Sequence, residues 1–412
     1  MPSSNHPDWS WLKIRIFKIL ILVCIGIILQ QSCASRGLVT DKVDPELYPV
    51  PKISSFKFDH NPSFIIYGDS RPGWRILETF LKKENWLSWR VLLAPYWIAQ
   101  GIVGVINRVR NVADYGKSER ILVRDAIVQE YQNADFDFVL GMGDFIADGR
   151  QPRDWEQFLI ENRKESNLLN DIPFVPVIGN HEHVNDARFG KPNYNAIFAY
   201  PQFYTLEFPD AAMFVIDTDL IIDQYQDIPD DSQNVLFEKW FVAPAKQPEK
   251  GWLEKELANC TKKFKIVAMH HPPVSFGMHH ADWFNEENGP ELIDKLKILL
   301  DLFHRNGVQV ILSSHEHYFE HSIIRQGESE IQLLINGGGG VPLRSIPDAE
   351  LAEKYRKEYL DIGLDIEPVV LKKEYHYGLI RVAEDSLLAR IIEINKTTTG
   401  KNIIAELSIL SY

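Results

Sequence analysis

The stretch Phe64-Ile65-Ile66-Tyr67-Gly68-Asp69-Ser70-Arg71 is a short apolar run that ends in a glycine and a charged loop. The same arrangement recurs at 136–144, 174–182, 265–271 and 308–317. Short continuous apolar runs are typical of strands that are buried on both faces. The pattern therefore predicts sheet strands that end in polar loops. Two further apolar runs of this kind lie at 213–216 and 332–335.

Amphipathic stretches separate these apolar runs, and those at 119–131 and 290–305 predict helices that cover the strands. The chain has 412 residues, of which 45% are hydrophobic and 25% are charged, and this is an ordinary globular composition. The alternation of strands and helices predicts the α/β class and a layered α/β sandwich.

Residues 1–33 have the composition of an export signal. Basic residues precede an apolar run at 19–29, which is shorter than the ~20 residues that a bilayer span needs. This order predicts a signal peptide. Cys33 at its end resembles the lipidation site of bacterial lipoproteins, and an uncleaved anchor or an ordinary export signal are the alternatives. We expect an exported bacterial protein, tethered at the periplasmic or surface side of the cell envelope by an N-terminal lipid.

Charge and cysteine content exclude some classes of function. The chain carries 57 acidic and 44 basic residues, for a formal net charge of -13, which argues against a general affinity for nucleic acids. We therefore expect no nucleic-acid binding. Only three cysteines are present, so no disulfide framework is expected. Cys260 suits a buried, small apolar residue rather than a catalyst.

The expected domain organisation is one domain at 63–412 that follows a linker. Residues 34–62 are polar and contain prolines, which predicts the linker. Insertions are expected near 80–115 and 345–375. The first contains a Trp-rich, aliphatic stretch at 86–109, which predicts either a helix pair packed on the core or a lid or interfacial helix that contacts lipid. The second is charged and periodic, which predicts a solvated helix.

The polar loops after the predicted strands carry side chains that can bind metal ions. Carboxylate, amide and imidazole groups occur at Asp69, Asp144, Asn180, His270, His315 and His317. In open α/β sheets, ligands bind at the carboxyl ends of the strands. These oxygen and nitrogen donors suit Mn, Fe or Zn, and the absence of thiolates argues against a structural zinc site.

The order of these loops resembles the calcineurin-like metallophosphoesterase superfamily, which includes the purple acid phosphatases. The resemblance covers the chain from about Ile65 to Pro342. It implies an α/β/β/α sandwich of two central mixed sheets flanked by helices. The motifs that carry it are Gly68-Asp69, Gly143-Asp144, Gly179-Asn180-His181-Glu182, His270-His271-Pro272 and Ser314-His315-Glu316-His317.

The resemblance also implies a centre of two divalent or trivalent ions. His181 would not bind metal; it would face the substrate, stabilise phosphoryl charge or protonate the departing alkoxide. The glycine run at 337–340 lacks the Lys-Ser/Thr ending of a phosphate loop, and close backbone packing near the metals explains it better. The implied ligands are Asp69 and His317 for the first ion, Asp144 as the bridge, and Asn180, His270 and His315 for the second ion.

The first motif differs from the family pattern. The family reads Asp-x-His, whereas this chain has Arg71 at the third position, and Arg cannot bind a metal because its guanidinium stays protonated. Purple acid phosphatases supply a tyrosine three positions after the second aspartate, but the corresponding residue is Ala147. We therefore expect weaker or more exchangeable binding of the first ion. Arg71 is expected either to bind a substrate phosphate oxygen or to pair with a nearby carboxylate.

Two more side chains are candidates for contact with the substrate. His279 matches a family position that often reaches the substrate, and a surface histidine is the alternative interpretation. Asn180 is expected to contact the substrate as well as the metal. His183 and His321 are expected to support the site or to lie at the surface.

The expected function is hydrolysis of phosphate monoesters or diesters by in-line attack of metal-bound hydroxide. Two cations ~3.5–4 Å apart neutralise the phosphate oxygens and lower the pKa of the water between them. Two alternatives stay open. The altered first motif fits a catalytically impaired, surface-anchored protein that binds a phosphorylated ligand. The apolar stretch at 86–109 and the tether fit a hydrolase of phospholipids or lipid-linked pyrophosphates.

Overall fold

A computed structural model describes residues 36–53, 55–72, 116–133, 136–183, 190–222, 236–243, 251–284, 289–394 and 402–410. The described residues from Leu38 onward belong to one compact unit. The predicted signal segment at 1–33 and the predicted insertion near 80–115 lie outside the described residues. Within the described ranges, no helix is both long and apolar enough to cross a bilayer.

A six-stranded sheet forms one layer of the fold. Its parallel half consists of β1 (Ser63–Tyr67), β2 (Phe138–Gly141) and β3 (Phe174–Pro176). Its antiparallel half consists of β11 (His376–Val382), β12 (Ser386–Glu393) and β13 (Asn402–Leu410). The order is β13-β12-β11-β1-β2-β3. Because β1, β2 and β3 are parallel, the loops that follow them lie at the same edge of the sheet.

A seven-stranded sheet forms the second layer. Its strands are β4 (Tyr204–Glu207), β5 (Ala211–Val215), β6 (Phe264–Ala268), β7 (Val310–Ser313), β8 (Phe319–Gln326), β9 (Ser329–Asn336) and β10 (Asp365–Lys372). They are ordered β10-β8-β9-β7-β6-β5-β4. The central strands β5, β6, β7 and β9 are parallel, and antiparallel strands flank them.

Helices connect the strands and cover both sheets. The helices predicted at 119–131 and 290–305 are present, with slightly wider bounds, as α1 (Lys117–Asn133) and α8 (Gly289–Arg305). Short helical turns occur at Val39–Asp41, Pro45–Leu47, Ile160–Lys164 and Met278–Asp282. The α-helices that lie wholly within the described ranges are α1 (Lys117–Asn133), α2 (Pro152–Leu159), α3 (Leu168–Asp171), α4 (Asn180–His183), α5 (Gly190–Phe198), α6 (Asp219–Ile222), α7 (Trp252–Asn259), α8 (Gly289–Arg305) and α9 (Ala349–Asp361).

Alternate side chains of the central strands point into two different apolar clusters. In β6, Ile266 and Ala268 belong to a cluster that takes side chains from both sheets, whereas Val267 belongs to a second cluster. Helix α1 packs on the first cluster through Val123 and Ile127, and α8 packs on the second. These strands are therefore buried on both faces, which is why their sequences are continuously apolar. The predicted α/β/β/α sandwich of two mixed sheets is confirmed.

The segment expected to be a linker, residues 34–62, contributes to the core in its described part. Val39, Val43, Leu47 and Val50 are each no more than 5% exposed, and the Val39 amide donates to Asn193 Oδ1 at 2.8 Å. The stretch is polar on average, but its apolar residues recur every three or four positions and each reaches the first apolar cluster. Here the chain packs as part of the domain rather than as a linker.

The insertion expected near 345–375 is only half helical. Its first half is α9, as expected, and its second half is the edge strand β10, which pairs antiparallel with β8. Within β10, Ile366 is buried and Glu367 is exposed. This two-residue alternation is a strand signal, and the helical periodicity immediately upstream obscured it. Cys260, expected to be buried, is only partly buried at the margin of the second apolar cluster.

Candidate metal centre

Five loops meet where strands from the two sheets end. They bring together the six side chains that the sequence predicts as metal ligands. Backbone hydrogen bonds join the loops: the Asp69 amide donates to the Gly143 carbonyl at 3.1 Å, and the Ser314 amide donates to the His270 carbonyl at 3.0 Å. From the six-stranded sheet come Asp69, Asp144 and Asn180, and from the seven-stranded sheet come His270, His315 and His317.

Left-handed backbone conformations are concentrated in these loops. Asp69, Asp144 and His315 have φ angles of 56°, 58° and 72°, and they are three of the four non-glycine residues with positive φ in the described ranges. Such conformations are uncommon for side-chain-bearing residues and persist only where the surroundings hold them. A Cβ atom added at Gly337 would lie 2.9 Å from Asp69 Oδ2. The glycine run therefore allows close backbone packing, as the sequence predicted.

Asp144 lies at the middle of the cluster and contacts side chains from both sheets. Its Oδ1 lies 3.3 Å from His270 Nε2, and its Oδ2 lies 3.8 Å from His181 Nε2 and accepts from Arg71 Nε at 3.2 Å. Although burial alone would raise the pKa of Asp144, the neighbouring His181, His270 and Arg71 side chains hold it well below its usual range. Asp144 therefore presents an ionised carboxylate.

The His270 ring is held so that one nitrogen faces the other candidate ligands. Its Nδ1 donates to the Met142 carbonyl at 2.7 Å. Its Nε2 then lies 3.2 Å from Asn180 Oδ1 and 3.1 Å from His315 Nδ1. A histidine that donates through one ring nitrogen presents the lone pair of the other nitrogen, which is the usual arrangement of a metal ligand. His270, Asn180 and His315 are therefore placed to share one ion.

Asp69 and His317 form the other end of the cluster. Asp69 Oδ2 accepts from the Ser314 hydroxyl at 2.5 Å and from the His315 amide at 2.7 Å. Its Oδ1 is buried, has no hydrogen-bond partner among the described residues, and lies 3.4 Å from His317 Nε2. His317 Nδ1 donates to the Pro342 carbonyl at 3.2 Å. Burial, together with the Arg344 charge, lowers the pKa of His317 to about 4, so this imidazole is neutral and can bind a cation.

His181 stands at the mouth of the cluster, with a side chain that is 24% exposed. Its Nδ1 donates to the Ala147 carbonyl at 2.6 Å, and its amide donates to Asp144 Oδ1 at 3.1 Å. The ring therefore presents Nε2 toward the Asp144 side of the cluster. This geometry suits a group that contacts the substrate rather than a metal.

The Arg71 side chain is 2% exposed, and it pairs with the side chain of Asp144, which is also 2% exposed. Pairing with a nearby carboxylate is one of the two alternatives that the sequence left open. The guanidinium of Arg71, which stands where the family pattern has a histidine, thus lies on the Asp144 carboxylate. A positive charge here competes electrostatically with a cation bound by Asp69 and His317.

His279 lies against the cluster through three contacts that the sequence did not predict. Its ring is 3.7 Å from the His315 ring, centroid to centroid, and its Nδ1 bonds Asp282 Oδ2 at 2.8 Å. Asp282 Oδ2 also bonds His315 Nε2 at 3.1 Å. Arg344, which follows the glycine run, bonds His279 Nε2. Asp282 and Arg344 could not be found from sequence because only the folded loops bring them to these histidines.

Glu182 ties two of the loops together. Its carboxylate accepts from the amides of Asp144 and Phe145 at 2.8 Å and of Gly179 at 2.9 Å. Burial and the Asp144 charge raise the pKa of Glu182 to about 8. Glu182 belongs to the third motif, but the sequence alone predicted no role for it. In the structure its carboxylate clamps together the loops after β2 and β3.

These donors fit metal ions. One ligand atom from each of Asp69, Asp144 and His270 lies within 4.8 Å of the others. A buried carboxylate oxygen without a hydrogen bond and neutral imidazoles with inward lone pairs are typical of a site that a cation completes. Asp69, Asp144, Asn180, His270, His315 and His317 would hold such ions.

Comparison with known sequences identifies the family to which the chain belongs. The profile described as calcineurin-like phosphoesterase matches residues 112–319, about half of the chain. The chain belongs to the calcineurin-like phosphoesterase family. The matched region contains the second to fifth motifs, and the Asp69 motif precedes it.

This calcineurin-like phosphoesterase also resembles individual proteins. It is 27% identical over 218 residues to purple acid phosphatase 3 of Arabidopsis thaliana, covering 50% of this chain and 55% of that protein. It is 28% identical over 160 residues to a probable glycerophosphodiester phosphodiesterase of Arcobacter nitrofigilis, covering 39% of this chain and 50% of that protein. The chain thus spans about half the length of these two relatives.

Solved structures show the same fold. A purple acid phosphatase from yellow lupin (Lupinus luteus) seeds superposes with a TM-score of 0.53 at 13% identity, covering 88% of this chain and 55% of that chain. The structure of PhoD superposes with a TM-score of 0.50 at 12% identity, covering 88% of this chain and 71% of that chain. At these identities the likeness concerns the fold of this calcineurin-like phosphoesterase.

Proposed function

We propose that this protein is a metal-dependent hydrolase of phosphate esters whose centre holds two ions. The observation that carries the proposal is the convergence of six predicted ligands from two sheets onto one cluster, with His181 partly exposed beside it. Family membership supports the same chemistry. Mn, Fe and Zn all suit these donors, and availability decides among them.

The ions and the side chains would have different roles in the reaction. When bound, the ions would neutralise the phosphate oxygens and lower the pKa of water to supply hydroxide for in-line attack. Asp144 contacts partners on both sides of the cluster and would hold both ions. The Ser314 hydroxyl and the His315 amide, which both donate to Asp69, and the clamp of Glu182 hold the ligands in place before any ion binds.

His181 is the proposed proton donor. Its Nδ1 is committed to the Ala147 carbonyl, so a second proton on the ring sits on Nε2, which faces the cluster. From there it can be transferred to a departing alkoxide. A positioned general acid of this kind contributes typically ~10²- to 10⁴-fold to the rate.

The phosphate group of the substrate would be bound on the side of the cluster where Arg344 and His279 lie. Arg344 and His279 bond each other and lie beside His315. An Arg that faces a phosphate can donate two parallel hydrogen bonds, which is stronger and more directional than a single contact. We propose that Arg344 binds phosphate oxygens together with Asn180, that His279 positions Arg344 through its Nε2, and that Arg71 balances the charge of Asp144.

A second candidate function is binding of a phosphorylated ligand without turnover. The specific observation that favours it is the pair between Arg71 and Asp144, because a guanidinium on the bridging carboxylate weakens the first ion's site. His181 argues for catalysis instead, since a binding protein does not need a proton donor. The export signal, the lipid tether and the lipid-substrate alternative lie on residues outside the described ranges and stay predictions.

The test uses chelation and reloading of the purified protein. Protein stripped with a chelator is reloaded with Mn²⁺, Zn²⁺ or Fe²⁺, and its metal content and turnover of p-nitrophenyl phosphate and bis(p-nitrophenyl) phosphate are measured. We expect activity to disappear on chelation and to return with at least one of the ions. His315→Gln should lower both metal content and activity. His321→Gln, which alters a buried histidine that bonds Gln332 on β9, should lower neither.

Metal-replete protein that turns over neither ester would contradict the hydrolase proposal. Saturable binding of inorganic phosphate to that inactive protein, measured by equilibrium dialysis, would then support the phospho-ligand-binding role.

A further inference from the structure

A second group of histidine and aspartate side chains lies in the interior, next to the candidate metal centre. It consists of His183 at the end of α4, Asp217 and Asp219 around the start of α6, and His271 after β6. We refer to these four residues as the interior cluster. Their exposures are 3%, 0%, 1% and 1%, respectively. Neither the family resemblance nor the proposed hydrolysis assigns a role to Asp217, Asp219 or His271, and the sequence predicted for His183 only a supporting or a surface position.

The spacing of their polar atoms matches that of ligands around one ion. His183 Nε2 lies 3.0 Å from Asp217 Oδ2 and 3.5 Å from Asp219 Oδ2. One ligand atom from each of these three residues lies within 4.8 Å of the others. Zinc bonds of ~2.0–2.2 Å with tetrahedral angles separate neighbouring donors by roughly 3.3–3.6 Å. The three side chains therefore need little movement to bind a common cation.

Asp219 gives an independent indication that something is bound. Both of its carboxylate oxygens are buried, and neither has a hydrogen-bond partner among the described residues. Asp217, in contrast, accepts from the Asp219 amide at 3.0 Å and from the Gln202 side-chain amide. Buried carboxylates are normally hydrogen-bonded, paired or metal-bound, because an isolated buried charge is strongly unfavourable. Asp219 fits the last of these cases.

His271 supplies a fourth nitrogen with the right orientation. Its Nε2 is buried, has no hydrogen-bond partner in the described part of the chain, and lies 3.6 Å from Asp219 Oδ1. Thr218 fixes the ring, since its hydroxyl accepts from the His271 amide at 3.1 Å and bonds Nδ1 at 3.0 Å. The interior cluster thus combines two carboxylates and two imidazoles, a donor set that suits zinc and manganese.

We propose that the interior cluster is a further cation site, in which His183, Asp217 and Asp219 bind one Zn²⁺ or Mn²⁺ ion and His271 Nε2 provides a fourth donor. A divalent ion would neutralise the two buried carboxylates. Because every member of the cluster is buried, the ion would serve structure rather than substrate binding. The proposal does not depend on whether the neighbouring centre hydrolyses esters.

The ion would also fix ligands of the candidate metal centre. His183 shares the short helix α4 with Asn180, and His271 directly follows His270 along the chain. The ring of His271 lies 4.3 Å from the ring of His315, centroid to centroid. A cation held by His183 and His271 would therefore hold Asn180 and His270 at their observed positions.

The main test compares ion counts between the wild type and Asp219→Asn. Metal-free protein is dialysed against Zn²⁺, and bound zinc per chain is measured by elemental analysis. We expect Asp219→Asn to bind one ion fewer than the wild type. The same difference of one ion should persist when both proteins also carry Asp144→Asn, which separates the interior cluster from the candidate metal centre.

Glu320→Gln is the control for this test. Glu320 is as deeply buried as Asp219, but it accepts hydrogen bonds from Phe276, Tyr318 and Ser322. Glu320→Gln should therefore leave the number of bound ions unchanged.

Thermal unfolding gives a second readout that a purely structural hydrogen-bonding role would not produce. Metal-free Asp219→Asn should unfold no earlier than the metal-free wild type, because the substitution removes a buried carboxylate that accepts no hydrogen bond among the described residues. Zinc should then raise the midpoint of the wild type more than that of the variant. Equal zinc counts and equal zinc-induced shifts would overturn the proposal and indicate that Asp219 is simply protonated. If the variant does not fold, zinc-edge anomalous scattering from wild-type crystals decides: a peak bonded to His183 and Asp219 supports the site, and its absence overturns it.

Discussion

The two sheets supply different ligand chemistry to the candidate metal centre. The six-stranded sheet contributes oxygen donors, namely Asp69, Asp144 and Asn180, and the seven-stranded sheet contributes the nitrogen donors His270, His315 and His317. Each half also orients the other, since the Ser314 hydroxyl and His315 amide hold the Asp69 carboxylate while the Met142 carbonyl holds the His270 ring. Neither sheet alone therefore forms a site; the donors are positioned only when the two layers pack.

The largest effect is expected from Asp144→Asn on the oxygen side. This substitution keeps the shape of the side chain but removes the charge that both ions would share. We expect hydrolysis of p-nitrophenyl phosphate to fall by at least ~10⁴-fold, which corresponds to ~5–6 kcal/mol of transition-state stabilisation, and the metal content to fall as well. Asp148→Asn in the same loop is the control, because Asp148 pairs with Arg150. Retention of full metal content and activity by Asp144→Asn would refute its bridging role.

The next effect is expected from His181→Asn, which removes the proposed proton donor and leaves every predicted ligand in place. We expect kcat to fall ~10²- to 10⁴-fold with unchanged metal content. The loss should be smaller for esters with good leaving groups, because these need less protonation. His304→Asn, at a partly buried histidine that bonds Ser329, serves as the control. An equal loss for good and poor leaving groups would argue against proton donation.

In the half of the centre that comes from the seven-stranded sheet, Asp282 supports the proposed ligand His315 and is not itself a proposed ligand. It bonds Nε2 of His315 and so turns Nδ1 toward His270. Removing such a supporting carboxylate typically lowers metal affinity ~10- to 100-fold, and we expect this range for Asp282→Asn in a zinc-binding titration. Asp301→Asn, at a carboxylate that is 54% exposed on α8, should leave the affinity unchanged. An unchanged affinity in Asp282→Asn would mean that packing alone orients His315.

The smallest effect, and the most informative about the difference between the halves, is expected from Arg71→His. It would add a nitrogen donor to the oxygen side and remove the positive charge from Asp144. We expect the weaker of the two ions to bind about tenfold more tightly, equivalent to about 1.4 kcal/mol, as measured by isothermal titration. Arg71→Lys keeps the charge without adding the imidazole and should not tighten binding. Tighter binding in both variants would show that the guanidinium fork, and not its charge, weakens the site.

The sequence predicted the parts of this molecule that depend on local patterns. The buried parallel strands β1, β2, β3, β5, β6, β7 and β9 have continuous apolar runs, and the loops that follow most of them carry the predicted ligands. Strands β4, β8, β10, β11, β12 and β13 were not predicted, because polar residues interrupt their apolar runs. The role of 34–62 was missed because four separated apolar residues reach the core from a polar stretch.

Contacts between distant segments were beyond reach from sequence. Asp282 and Arg344 lie 33 and 27 positions from His315 and His317 in the chain, and only the folded loops bring them to these rings. His183 directly follows one recognised motif and His271 lies within another, yet their shared environment with Asp217 and Asp219 exists only in three dimensions. Residue type identified the donors; packing determines which of them share a site.

The left-handed backbone at Asp69, Asp144 and His315 limits how these positions can vary. Asp, Asn, His and Gly adopt positive φ with the smallest penalty, whereas β-branched residues are strongly disfavoured there. Substitutions at these three sites are therefore limited both by the need for a side chain that binds the ion and by the positive φ angle of the backbone. A descendant that abandoned metal chemistry altogether would still be expected to keep Asn or Gly where Asp69 and Asp144 now stand, as a backbone trace of the lost activity.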